Sequence, residues 1–394
     1  MNLSESPDLI SFRSHVRAWM RDHFVGDFTQ LEGVIGPGSE HFDCALAKAW
    51  EREIAAGGWI GLTWPTSHGG RALPLAFEMA FQEEYVRAGG PGRLGHIGEH
   101  LLAPTLIAEG TDQQRAMFLP PILRGEEFWA QGYSEPGAGS DLASVRTKAT
   151  RSPTDGRWRL SGQKVWTSWA RESDWAFVLA RCDPDSLRHR GLVLLMVRLN
   201  QPGVSIRPIQ QISGASEFNE LFLDDAIAEA DAAIGQPGDG WRVAMGLLAH
   251  ERGASTLGQQ AQFVKEFDRL TGFLSRTGLD EDSAVQEEWA RHQARLRTLR
   301  FHALRVASSG VSEEGKRAAA AAKYLWSNWR RDVGDFAARC LARVPVISEK
   351  EAQVVSYLKS LWLTSKADTI YAGTNEIQLN LIAQRALGLP RPSY

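Results

Sequence analysis

From Pro7 to about Arg124 apolar residues recur three or four positions apart, as in HVRAWMRDHF and FEMAFQEEYVRAG, and that spacing predicts amphipathic helices. The turn-rich GLTWPTSHGGRALP interrupts them. Between about Glu126 and Gly240 the texture changes to short alternating or wholly apolar runs. WRLSGQKVWTS, DWAFVLARC, GLVLLMVRL and GVSIRPIQQI, separated by SPTDG and NQPG, predict strands. From Trp241 long helical patterns return in WRVAMGLLAHERGASTLGQQAQFVKEFDRL, SAVQEEWARHQARLRTLRFHALRVASS and KRAAAAAKYLWSNWRRDVGDFAARCL. The expectation is an α+β chain in three parts: an N-terminal helical domain over 1–125, a middle strand domain over 126–240 and a C-terminal helical domain over 241–394.

Composition narrows the function without naming it. At 394 residues and 43% hydrophobic, the chain can bury a sizeable core. Its formal charge is −3 without a basic block, so it lacks the electrostatic footprint of a nucleic-acid binder. Cys44, Cys182 and Cys340 are odd in number and far apart, which argues against a disulfide framework and for a reducing compartment. The opening MNLSESPDLISFRSHVRAWMRDHF has no short apolar core of a signal peptide, and no run approaches the roughly 18 apolar residues of a membrane span. A cytoplasmic chain, bound to neither membrane nor nucleic acid, is expected.

Three glycine- or histidine-bearing stretches invite a chemical reading. GGPGRLG holds G-x-G-x-x-G at Gly90, Gly92 and Gly95, but a helical pattern precedes it where a dinucleotide fingerprint needs a strand. HIGEH, residues 96–100, has the H-x-x-E-H order of inverted zinc peptidases, with a glycine inside it and no third ligand in view, so no metal site is expected. GYSEPGAGSD, residues 132–141, sets Gly137, Ala138, Gly139 and Ser140 between a Glu-Pro pair and an aspartate. Such a turn is either a plain loop or a place where backbone lies against a ligand.

Collectively, GYSEPGAGSD, LSGQKVWTS, GASEFNELFLDD, GWRVAMGLLAHERG and TIYAGTNEIQLNLIAQRALGLPR, in that order and preceded by WPTSHGGRALP, resemble the acyl-CoA dehydrogenase family of flavoenzymes over nearly the whole chain. The resemblance implies a helical domain, a β-barrel-like middle domain and a C-terminal four-helix bundle. It also implies FAD, an acyl-CoA thioester dehydrogenated to the 2,3-enoyl-CoA, and an electron-transfer flavoprotein as acceptor. Other readings from the same flavoenzymes and beyond are a monooxygenase or nitroalkane-oxidase-like relative, and a non-catalytic subunit of a heteromer. The family forms dimers or tetramers, so a homo-oligomer is expected, or a heteromer with a related chain.

Carried onto this sequence, the resemblance places Gln131, Tyr133 and Ser134 along the flavin ring and Gly139 and Ser140 on the small-residue turn, with Ser140 also near the pantetheine of CoA. Trp166, Thr167 and Ser168 fall at the far edge of the flavin, Trp166 being alternatively one more tryptophan of a sheet core. Thr374, Asn375 and Glu376 match the flavin-proximal loop, and Thr and Glu there also suit an ordinary helix cap. Trp169 and Arg171 stand where the family usually has Asn-Gly. The medium-chain members carry the base glutamate in a sequence like YEGT, whereas this chain reads Tyr371-Ala372-Gly373-Thr374. The Ala372 amide can still serve the thioester oxygen beside Gly373, but a methyl cannot take a proton. In the isovaleryl- and long-chain-type branches the base precedes an arginine on the first long helix of the third domain, here Glu251-Arg252. Helical spacing puts Ala244, Leu248, Glu251, Ser255 and Gly258 on one face, so the expectation is Glu251 as base and Arg252 at the substrate; a solvated surface pair is the plainer reading. At the ADP end of FAD, Gln293 matches the family's glutamine, but Asp282 occupies its arginine position and the Q-x-x-G-G motif is missing. Arg276, Arg291 and Arg295 are the nearest substitutes.

Overall fold

The computed structural model describes residues 5–33, 42–186, 188–250, 256–309, 312–344 and 349–390. Contacts gather the chain into two compact units, one holding residues up to Arg17, Leu75–Ala88 and everything from Arg252 onward, the other Ala18–Pro74 and Gly89–Glu251.

The second unit is built around one sheet of eight strands. These are β1 (Trp129–Gly132), β2 (Lys148–Arg151), β3 (Trp158–Ser168), β4 (Trp175–Arg181), β5 (Leu192–Arg198), β6 (Val204–Pro208), β7 (Phe218–Ala228) and β8 (Ala233–Gly238). The order across the sheet is β6-β7-β3-β2-β4-β5-β8, and β1 runs parallel to β4. The apolar runs read from the sequence are β3 to β6, and β4 and β5 do not alternate because both of their faces are covered. One face buries Phe177, Leu179, Leu192, Leu194 and Met196 against helices. The helices are α4 (Ala103–Glu109), α5 (Asp112–Leu123) and α6 (Gly240–His250), which contribute Leu106, Phe118, Leu119, Val243 and Leu247. The other face buries Val178, Val193 and Leu195 with Leu160 of β3 and Leu221 and Leu223 of β7, so the sheet curls around its own core as a barrel-like domain does.

Local chemistry fixes the ends. Asp43 caps α2 (Cys44–Ala56) by accepting from the Leu46 amide at 3.0 Å. Thr111 and Gln114 form a reciprocal capping box on α5, and the Gln114 amide also donates to the carbonyls of Asp231 and Ala233, tying the helix to the start of β8.

The first unit carries four long helices, α7 (Thr256–Arg276), α8 (Ser283–Ser309), α9 (Glu313–Leu341) and α10 (Glu349–Asp368), around Phe267, Leu270, Phe273, Trp329, Val333, Phe336 and Leu358. Helix α3 (Leu75–Arg87) groups with them because Met79 packs on Ala303 and Val306 of α8. Its acidic end is neutralised by the buried Arg13 of α1 (Pro7–His23), which reaches Glu83 at 2.7 Å and Glu84 at 3.0 Å. A short helix α11 (Asn375–Leu381) follows α10. Among the described residues no helix is long and apolar enough to cross a membrane, and no group of three or more His, Cys, Asp or Glu could hold a metal ion.

Candidate active site

The small-residue turn leaves the end of β1 and is held by a buried ion pair. Lys164, fully buried on β3, donates to Glu135 at 2.8 Å and to the Tyr133 carbonyl at 3.1 Å. The Glu135 carboxylate also accepts the amides of Arg146 at 2.7 Å and Thr147 at 2.8 Å. Burial drags the Lys164 ammonium down to about 8, against the pull of Glu135. Burial pushes the Glu135 carboxyl up, but Lys164 and the hydrogen bonds outweigh it and hold it below the usual carboxylate range. Neither residue stands out in the motif reading, although a lysine in a strand between tryptophans and leucines is a signal for a buried partner.

Within this frame Gln131 is half-buried and pairs with Phe177 across β1 and β4. The buried Tyr133 ring meets Phe177 edge-on at 5.8 Å, and the Ser134 carbonyl accepts from Val165 at 2.9 Å. Gly137, Gly139 and Ser140 are exposed. Neither glycine has a positive φ, and a Cβ built on either would meet nothing within 4 Å. The fold itself therefore does not require glycine there, and the space in front of the turn is open for a ligand.

The strand motif is shaped by a bulge. The pairing of β3 with β7 slips between Lys164 and Thr167, Trp166 takes a left-handed φ of +60°, and its indole stands 56% exposed with Phe218 edge-on at 5.9 Å. The core alternative for Trp166 is thereby overturned, because the bulge turns it outward. Thr167 is buried and its hydroxyl has no hydrogen-bond partner among the described residues. Ser168 is half-buried opposite Phe218. Trp169, also left-handed at φ +53°, is buried and donates its amide to Glu217. An outward indole, a lone buried hydroxyl and a bare turn suit a flat ring with polar edges, which is what an isoalloxazine presents.

The remaining candidates lie in the first unit or outside the described residues. Glu251, Arg252 and Ser255 lie outside the described residues; of their proposed face, Ala244 is buried and Leu248 half-buried on α6. Ala372 is exposed at φ +51° and Gly373 follows at φ +92°. Among the described residues the Ala372 amide has no acceptor, while its carbonyl accepts from Gln378 at 2.9 Å. Thr374 caps α11 by accepting from Ile377 at 3.3 Å. Asn375 exchanges side-chain hydrogen bonds with Asn328 of α9, so its amide is engaged within the chain. Glu376 is exposed, its carboxyl lowered by hydrogen bonds to its own amide and to Thr374.

At the ADP end, Gln293 is half-buried on α8. Asp282 serves the helix instead of a ligand: it accepts from Ala284 at 2.8 Å and Val285 at 3.2 Å and pairs with Arg343. The three arginines considered as substitutes are likewise engaged, Arg276 with Glu351, Arg291 with Glu287 and Arg295 with Asp332.

The two side patterns have structural roles. In HIGEH the buried Glu99 accepts from Gly61 at 2.9 Å and pairs with Arg93, which also holds Glu51, on a π-helical turn over Gly98–Leu102. Burial pushes His96 down to about 4. In GGPGRLG the Gly95 amide donates to Glu51, and α3, not a strand, precedes it.

Comparison with known proteins gives the family and the fold. Family models described as the acyl-CoA dehydrogenase N-terminal, middle and C-terminal domains match residues 6–126, 130–226 and 238–387. The chain is 48% identical over 385 residues to acyl-CoA dehydrogenase IpdE1 of Mycobacterium tuberculosis (strain ATCC 25618 / H37Rv), covering 98% of each chain. It is 47% identical to the protein of that name from Mycolicibacterium smegmatis, over 96% of this chain and 97% of the other. Among solved structures, the Tcur3481-Tcur3483 steroid ACAD superposes with a TM-score of 0.85 at 26% identity over 100% of both chains. The ChsE4-ChsE5 complex from Mycobacterium tuberculosis gives 0.83, also at 26% identity over 100% of both. The chain belongs to the acyl-CoA dehydrogenase family, and it is an FAD-dependent oxidoreductase that dehydrogenates acyl-CoA thioesters.

Proposed function

We propose that this dehydrogenase acts on a bulky, steroid-type acyl-CoA, that Glu251 removes the α-proton, and that a related chain completes the assembly. The observation that carries the reading is the Tyr371–Thr374 turn, which offers a free amide donor and no carboxylate. The Ala372 N–H accepts no proton but donates to the thioester oxygen, where charge develops as the α-proton leaves for Glu251. When bound, FAD would supply the hydride acceptor for the β-hydrogen. Gln131, Tyr133, Ser134, Gly139 and Ser140 would hold its ring, with Trp166, Thr167 and Ser168 beside it, and the bare turn would leave room for the thioester. Arg252 orders the substrate side.

A ring-bearing substrate is supported by the solved relative whose title reads steroid ACAD. An electron-transfer flavoprotein is the proposed acceptor, and the three free thiols suit a cytoplasmic setting. Assembly with a related chain is supported by Asp282 and the engaged arginines at the ADP end, and by the paired names in the titles of both solved relatives. Purified alone, the chain is expected to hold FAD well below an equimolar ratio, and co-expression with a related chain is expected to raise it. Flavin absorbance per chain and light scattering check this. A lone chain that retains equimolar FAD and turns over would remove the heteromer from the reading and leave a homo-oligomer.

A further inference from the structure

Ala372 is a non-glycine residue in the left-handed region, a conformation that persists only where its surroundings impose it. Two sets of buried groups do so. On one side, Arg330 of α9 makes a bidentate pair with Glu266 at 2.8 and 3.0 Å and reaches Asp368 at 2.7 Å. Asp368 in turn accepts from the Tyr371 hydroxyl at 2.9 Å, and its carbonyl accepts from the buried Lys323. The end of α10 and the Tyr371 ring are therefore anchored next to Ala372. On the other side, Gln378 is 1% exposed and donates Nε2 to the Ala372 carbonyl at 2.9 Å. Its own Oε1 has no partner among the described residues. Burying an amide with an unmatched acceptor costs free energy, so the contact with Ala372 is not a by-product of packing. Gly373 suits a φ of +92°, and a Cβ there would also stand 2.7 Å from Gln378 Nε2.

We propose that Gln378 is a positioning residue for thioester activation: by holding the Ala372 carbonyl against the anchored Tyr371 side it keeps Ala372 in its left-handed conformation, and so sets the direction in which the preceding peptide presents the free Ala372 N–H to the thioester oxygen. The inference rests on the reading that this amide polarises the thioester. Donors placed for the developing charge act only when preorganised, so a turn free to leave the left-handed conformation at Ala372 loses the effect without losing the residue.

The test uses the FAD-loaded enzyme with carbonyl-13C cinnamoyl-CoA, an unsaturated ring-bearing thioester, bound to saturation as judged by flavin absorbance, and reads the carbonyl stretch by infrared difference spectroscopy. In the parent the band lies below its position in water. In Gln378→Met, which keeps the length and removes the donor, it returns most of the way, while kcat falls roughly 10–100-fold and KM changes little. Gln378→Leu, which also removes the donor and leaves the backbone of the turn unaltered in sequence, shifts the band in the same direction and serves if the methionine variant does not fold. A parent band at the free position would overturn the role of the Ala372 amide itself. A shifted parent band that both variants, or the one that folds, retain would leave that role standing and overturn the role of Gln378.

Discussion

Glu251→Gln lowers acyl-CoA dehydrogenation by roughly 10²–10⁴-fold, the usual effect of losing a general base, with FAD content and melting temperature at the parent level. The substitution keeps shape and removes only basicity. The expectation rests on the methyl of Ala372, which leaves the turn without a proton acceptor, and on the helical repeat that carries from Ala244 and Leu248 of α6 to position 251. Steady-state turnover of an acyl-CoA that the parent oxidises, followed with an artificial electron acceptor, checks it. Near-normal turnover would refute the assignment and turn attention to Glu376, the exposed carboxylate at the start of α11.

Lys164→Met is expected to destabilise the chain by about 3–5 kcal/mol, the cost of stripping the partner from a buried charge. The Glu135 carboxylate keeps the amides of Arg146 and Thr147 but loses its counter-ion, and the Tyr133 carbonyl loses a donor. Because this pair holds the turn at the end of β1, FAD retention is expected to fall with stability. The double variant Glu135→Gln with Lys164→Met removes both charges and should recover part of the loss, since the amide oxygen can still accept from one of the two backbone N–H groups while its NH2 faces the other. Chemical denaturation of the single and double variants decides it. Equal losses in both would mean that packing of the lysine stem, not the charge pair, is what matters.

The helix, strand and helix order was legible because apolar spacing differs between the two kinds of element, and β3 to β6 fall where WRLSGQKVWTS, DWAFVLARC, GLVLLMVRL and GVSIRPIQQI predict them. The grouping of α3 with the long helices was not, because the contact of Met79 with Ala303 and Val306 joins residues over two hundred positions apart. At the site, the motifs named Trp166 and Thr167 but not the bulge that turns one outward and buries the other. Period-two counting from Trp158 through Leu160 does put Lys164 on the buried face, so that ion pair was within reach of the sequence. Gln378 was not, since nothing local marks a helix glutamine as the partner of a carbonyl six residues earlier.

The open space in front of Gly137 and Gly139 separates two kinds of selection. With ordinary φ values and no neighbour for a Cβ, alanine at either position should leave folding intact or strengthen it slightly, by about 0.4–1 kcal/mol through a stiffer unfolded chain. A mutant library sorted for expression or heat resistance would thus accept these alanines. The same library sorted for bound flavin or turnover would reject them, and the positions where the two sorts disagree would trace the ligand's outline on the protein.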